Sequence, residues 1–288
     1  MTRVIEAPTA TKFPSEARAC VVVCGSHGGR YPAYLAASAG LRAVIFNDAG
    51  VGRDSAGIAS LALLAAGGMA AAAVSHMSAR IGEPGDMLAR GVISHANEPA
   101  QRLGVHPGMS CREAAERLQR AEVRRIEIPP STETRSVLTP ERAVRRLVVI
   151  DSAAMVVPED ADQIIVTGSH GGLVGGNPAL ALRVDGHAAV YNDAGIGVEE
   201  AGIARLPALE RRNIPAFTVS AASARIGEAL STYEDGVISA ANAPARALGA
   251  LPGLQAKAVL LAWARAAGGP DRKVPASAPA PGREASSV

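Results

Sequence analysis

The chain has 288 residues, 48% of them hydrophobic and 19% charged, with 30 glycines, a composition that suits one or two packed α/β domains and excludes a disordered or collagen-like chain. Lys and Arg number 29 against 27 Asp and Glu, a net charge of +2, too balanced to attract nucleic acid or a membrane surface, so neither is expected as a partner. Cys20, Cys24 and Cys111 are three and cannot all pair, and none has zinc-knuckle spacing. The opening MTRVIEAPTATKF lacks the apolar core of a signal peptide, and the most apolar segment, 58–74, is broken by Gly67-Gly68. The expectation is a soluble, cytoplasmic protein.

In chain order, residues 3–7 read as an edge strand, and 19–24 (ACVVVC) as a buried strand that empties into Gly25-Ser26-His27-Gly28-Gly29. A helix, a strand at 41–46 and the motif NDAGVG from Asn47 follow, then a helix beginning near Asp54, a strand at 70–75 and the motif SARIGE from Ser78. GVIS at 91–94 is read as opening a further helix that Gly104 stops, and 110–124 as a helix capped by Ser110 with Glu113 three residues on. Residues 129–140 connect to a second series. It comprises strands at 147–150, 163–167, 187–191 and 214–219, the motifs GSHGG from Gly168, NDAGIG from Asn192 and SARIGE from Ser223, and an apolar helix over 254–267 containing Trp263.

The two series are offset by 143 residues at GSHGG and by 145 thereafter, and 32 of 44 positions in the four motif blocks are identical. Within these blocks the letters themselves are retained, whereas between them the identity fades and only the apolar pattern persists, which marks the loops. The fold class expected is therefore α/β, as two tandem homologous Rossmann-like βαβ halves with parallel sheets and a pseudo-two-fold relation: 1–128, 129–267, and a disordered Pro/Ala/Ser-rich tail at 268–288. All three motifs then lie at the carboxyl ends of consecutive strands, the ligand-binding edge of an open parallel sheet.

The candidate catalytic residues are Ser26, His27 and Asp48 with their counterparts Ser169, His170 and Asp193: a hydroxyl, an imidazole to act as acid or base, and a carboxylate to orient it. The candidate substrate-binding residues are Gly25, Gly28, Gly168 and Gly171, whose N–H groups are expected to cradle an oxyanion, with Asn47 and Asn192, Ser78 and Ser223, and the carboxylate clamps Arg80 and Arg225. Helix capping and an Arg80–Glu83 pair are the structural alternatives for these residues. His76, His95 and Cys24 have no counterparts, since Ala221, Ala240 and Thr167 stand at the matching positions. No HxH or HExxH spacing supports a metal, and the glycine spacing matches no nucleotide loop, so neither metal nor cofactor is expected.

The two-lobed layout, with Cys24 and Thr167 ending equivalent strands, is similar to that of the aspartate/glutamate racemase and maleate isomerase group, whose loop motifs differ. The duplication also resembles the ring-opening amidohydrolases of cyanuric acid and barbiturate, which need a lysine beside each serine. Here Lys12, Lys257 and Lys273 lie outside every motif, so neither resemblance transfers a residue's role. The activity expected is hydrolysis of a small, anionic amide, lactam or related carbonyl compound in a cleft between the halves. An isomerase or racemase and a non-catalytic binding protein are the alternatives. Self-association through the helix at 254–267 is also expected, because it carries more apolar surface than one lobe needs.

Overall fold

The computed structural model describes residues 3–266, so the tail assigned to 268–288 lies outside the described residues. Among these, the chain forms a mixed α/β structure with two mainly parallel sheets. The first, in spatial order β1-β2-β3-β4-β5, contains Val4–Ala7, Val21–His27, Ala43–Asn47, Ala70–Val74 and Ile93–Ala96. The second runs β11-β10-β9-β8-β7-β6, with Arg135–Leu138 (β6), Leu147–Ile150 (β7), Ile164–His170 (β8), Ala188–Asn192 (β9), Ala216–Val219 (β10) and Ile238–Ala241 (β11).

Continuous apolar strands form here because both faces of each sheet are covered. Along β2, Val21 and Val23 enter one core while Val22 and Cys24 enter the other. The first face is covered by α3 (Pro84–Arg90), α4 (Glu98–Arg102) and α5 (Cys111–Leu118), and the second by α1 (Arg30–Ser38) and α2 (Ala59–Ala66). Around the second sheet lie α6 (Arg205–Glu210), α7 (Ala229–Glu234), α8 (Ala243–Ala247) and α9 (Ala256–Arg265). The Ser110 cap is present, its hydroxyl accepting from the Glu113 N–H at 3.2 Å.

Four elements differ from the sequence reading. GVIS forms strands, β5 and β11, which pair antiparallel with β4 and β10. The β-branched Val92-Ile93 and Val237-Ile238 favour extended backbone, and Asn97 and Asn242 hold helix formation back to α4 and α8 by capping them. No α-helix follows the second GSHGG, because Gly175 and Gly176 take φ of +60° and +66° and Pro178 follows. The connection at 129–140 contributes β6, antiparallel to β7. Finally, the apolar face of α9 is used within the chain. Trp263 is 4% exposed, packs edge-on against Phe217, and donates its indole N–H to the Leu248 carbonyl at 2.9 Å. The buried face of this helix is thus accounted for within the chain.

The two sheets meet through the motif loops. Gly50 and Gly195 are in backbone contact: a Cβ placed on Gly50 would lie 2.8 Å from the Gly195 Cα. The Arg53 N–H donates to the Ala221 carbonyl at 2.8 Å, and the Val198 N–H to the His76 carbonyl at 2.9 Å. Ala49, Ile81, Ala194 and Ile226 bury one another in a small core between the sheets. Left-handed backbone at Ala49, Val51, Asp54 and Ser55 recurs at Ala194, Ile196, Glu199 and Glu200. Strain of this kind persists only where its surroundings determine it, and here the cross-sheet contact does.

Candidate active site

Asn47 and Asp48 belong to that contact. The Asn47 side chain accepts the Ala49 N–H at 2.9 Å, and Asp48 accepts the N–H groups of Gly50 and His76 at 3.1 and 2.9 Å and the His76 Nδ1 at 2.8 Å. Burial would raise the Asp48 carboxyl, but the side-chain and backbone hydrogen bonds from His76 outweigh it and hold it below its usual value. Asn192 and Asp193 repeat the arrangement on Ala194, Gly195 and Ala221 at 2.8–2.9 Å. Ser78 and Ser223 each donate to the Ser75 or Ser220 carbonyl and accept a strand N–H, from Val92 or Val237. Arg80 is tied to Asp86, Glu83 and Glu199, and Arg225 to Asp54 and Glu228.

The glycines of GSHGG serve close packing. The Gly28 and Gly171 N–H groups donate to the Asn47 and Asn192 carbonyls at 3.1 and 2.7 Å, so they are already spent. Gly25 receives the Gly82 N–H on its carbonyl, and Gly168 receives the Gly227 N–H, so GSHGG, NDAG and SARIG converge within each sheet. What they surround is an imidazole. A Cβ on Gly29 would lie 2.6 Å from the Cε1 and Nδ1 of His27, and one on Gly227, from the other sheet, 3.1 Å from its Cε1. His170 lies in the same way beside Gly172 (3.1 Å) and Gly82 (3.6 Å). At Gly29 only a residue without a side chain leaves room for the ring, at Gly227 and Gly172 a side chain would crowd it, and at Gly82 the ring is in ordinary contact while the Leu173 carbonyl excludes a Cβ.

Both histidines line a cavity of about 630 Å³ between the sheets, a size that suits a small-molecule site. Of the candidates, Ser26, His27, Ser169, His170 and Arg225 line it. Asn47, Asp48, Asn192, Asp193, Ser78, Ser223, Arg80, Gly25, Gly28, Gly168 and Gly171 do not. Ser26 and Ser169 accept the Ala10 and Ala153 N–H groups at 2.9 Å each, and neither hydroxyl is bonded to the neighbouring histidine. Among the described residues Nδ1 of His27 has no hydrogen-bond partner, and the His170 ring has only the Gly172 backbone as a hydrogen-bonding neighbour. Burial lowers the His27 imidazole to about 4. Burial, then the charges of Arg205 and His27, put His170 well below the usual histidine value. Both rings are therefore neutral at pH 7.

The remaining unmatched residues are accounted for differently. Burial pushes the Cys24 thiol up to about 12, which removes the thiolate at neutral pH, and its counterpart Thr167 donates to the Val190 carbonyl at 2.8 Å. His95 Nδ1 lies 3.0 Å from the Ser94 hydroxyl. No cluster of three or more His, Cys, Asp or Glu with metal-binding geometry occurs among the described residues.

Two cavity residues were not singled out in the sequence. Arg205, 3% exposed, donates to the carbonyls of Gly172, Leu180 and Ala181 and lies over the Tyr191 ring at 4.8 Å; its partners are carbonyl oxygens and a ring rather than a carboxylate. Burial lowers its guanidinium from the usual value. Among the described residues Arg205 has no carboxylate partner, so a buried cation stands in the wall of the cavity and is a candidate to meet an anion. Ser60 stands where the first sheet would have its equivalent, and its hydroxyl has no hydrogen-bond partner among the described residues. The other is Glu133, on the segment ahead of β6.

Keeping both imidazoles neutral has a consequence for stability. A histidine in the unfolded chain titrates near 6.5, whereas these two remain neutral to lower pH. Stability is thus complete above about pH 6.5 and is lost as pH falls towards 4, by roughly 1.4 kcal/mol per pH unit for each ring. Glu133, whose carboxyl is raised to about 7, contributes in the opposite direction over the same range, so urea unfolding at pH 7.5 and 5.5 is compared between chains: His170→Gln should lose less stability at the lower pH than the wild-type chain, and an equal change in both would contradict the burial of His170 as a neutral ring.

No helix among the described residues is long and apolar enough to cross a membrane. Comparison with protein-family models, with curated proteins and with solved structures finds no match.

Proposed function

We propose that the chain is a hydrolase of a small anionic amide, lactam or related carbonyl compound, bound in the cavity between two α/β repeats that arose by duplication and are related by a pseudo-two-fold axis. The observation that carries the reading is the inequality of the two histidines. Arg205 bears on His170 and not on His27. The second repeat then supplies an anion anchor of Arg205 and His170, and the first supplies His27 as a free acid and base. His27 takes a proton from water as the water oxygen bonds to the carbonyl carbon, and the imidazolium returns that proton to the leaving nitrogen as the C–N bond breaks.

A second reading is favoured by one observation: two neutral imidazoles, one from each sheet, line the same cavity. That is an arrangement for moving a proton between the two faces of one carbon, as an isomerase or racemase does. A screen of carboxylate-bearing amides and lactams for release of ammonia or amine separates the two. Release that depends on His27 supports hydrolysis; racemisation or isomerisation without release supports the second reading, and neither reaction leaves a binding protein.

A further inference from the structure

Four acidic side chains line the cavity: Asp54, Glu133, Asp151 and Glu228. Three are engaged. Asp54 and Glu228 hold Arg225, and Asp151 accepts the Thr134 N–H at 2.7 Å, the Thr134 hydroxyl at 2.8 Å and the Ala229 N–H at 2.8 Å. Among the described residues Glu133 has no ion-pair partner; its neighbours are the Ser152 hydroxyl, the Asp151 carboxylate beyond β7 and Tyr31 on α1. It is also firmly placed. Thr134 is pinned to Asp151 by the two bonds just given, and Arg135 grips Asp160 through two hydrogen bonds of 3.1 and 2.6 Å.

An acid so placed is at odds with a cavity for anions unless it carries a proton. We propose that Glu133 binds the ligand as a neutral acid, donating a hydrogen bond to it, so that the cavity takes up its anion together with a proton. The inference rests on the anion-site reading of Arg205. Burial first, and the adjacent Asp151 charge next, raise the Glu133 carboxyl to about 7 against the opposing hydrogen bond from Ser152. Of the other charged groups, Arg30 and Arg183 line the same cavity without pairing with Glu133, and the two histidines are neutral. An arriving carboxylate adds a second negative charge and favours the protonated form further. Glu133 thereby selects against ligands that offer only donors at its position.

The test is calorimetric titration of the full chain with 2-pyrrolidone-5-carboxylate, a small lactam bearing a carboxylate, at pH 8 in buffers of different ionisation enthalpy. The expected result is uptake of about one proton on binding, with affinity falling up to about tenfold per pH unit above pH 7. Glu133→Gln, which still donates, should bind with no proton uptake and a flat pH dependence. Binding that needs Arg205 but takes up no proton in the wild-type chain overturns the role of Glu133 and leaves the anion site standing. Uptake that persists in Glu133→Gln also overturns it, since the proton then belongs elsewhere. No binding to the wild-type chain at any pH overturns the anion-site reading and this inference with it.

Discussion

His27→Ala should lower turnover by about two to four orders of magnitude, the usual loss when a general acid or base is removed, while His170→Ala should act mainly through a raised KM. The difference follows from the surroundings of the two rings. Both are packed between glycines and both are neutral, but His170 shares its wall with the Arg205 guanidinium and His27 does not. A group beside the anion anchor holds the substrate in ground state and transition state alike, so its loss is read in affinity. In the proposed mechanism it is His27 that handles the proton. Steady-state kinetics on any substrate found by the release screen decide it. Equal losses of kcat from both variants would point to the two-base isomerase instead.

The largest effect on stability should come from Gly82→Ala, with a loss of more than about 4 kcal/mol and failure of the two sheets to dock. Gly82 has φ +87°, and a Cβ there would lie 2.1 Å from the Leu173 carbonyl oxygen of the other sheet's loop, a backbone atom that cannot swing aside. The Gly175 N–H donates to the Gly82 carbonyl at 2.8 Å, and the Gly82 N–H to the Gly25 carbonyl at 2.8 Å, so the loop is held from both sides. Gly249→Ala is the matched control. Its φ is +84° and nothing lies within 4 Å of its would-be Cβ, so only the backbone penalty of about 1–2 kcal/mol applies. Urea unfolding of the two variants isolates the contact from the conformation. Equal losses would mean that the cross-sheet contact contributes nothing.

Much of this was legible in the sequence. Short β-branched runs ending in glycine marked β2 and β8, and the order of the motifs put GSHGG, NDAG and SARIG at one edge of each sheet, where they meet. What the letters could not show was why they are repeated. Asn47, Asp48, Ser78 and Arg80 have the residue types of chemistry, yet their bonds go to loop N–H and carbonyl groups and to an ion-pair network that reaches the other sheet. The Arg80–Glu199 pair joins residues more than a hundred positions apart, beyond any local pattern, and the bonds to loop N–H and carbonyl groups depend on turn geometry that the residue types do not reveal. The weight given to repeated residues also concealed Arg205 and Glu133, because the first has Ser60 as its counterpart and the second sits on the connection. Burial of an uncompensated cation is visible only once the fold is known. Trp263 misled for the same reason, since its partner Phe217 lies across a core that sequence spacing does not reveal.

Anion binding as proposed depends most directly on Arg205. The measurement is the Kd of the wild-type chain and of Arg205→Gln for 2-pyrrolidone-5-carboxylate and for its neutral carboxamide, with circular dichroism to verify that the variant is folded. The wild-type chain should prefer the carboxylate by about 10- to 150-fold, the worth of one hydrogen-bonded charge pair, and Arg205→Gln should bind both compounds with nearly equal, weak affinity. A folded Arg205→Gln that keeps the full preference for the carboxylate would contradict the account.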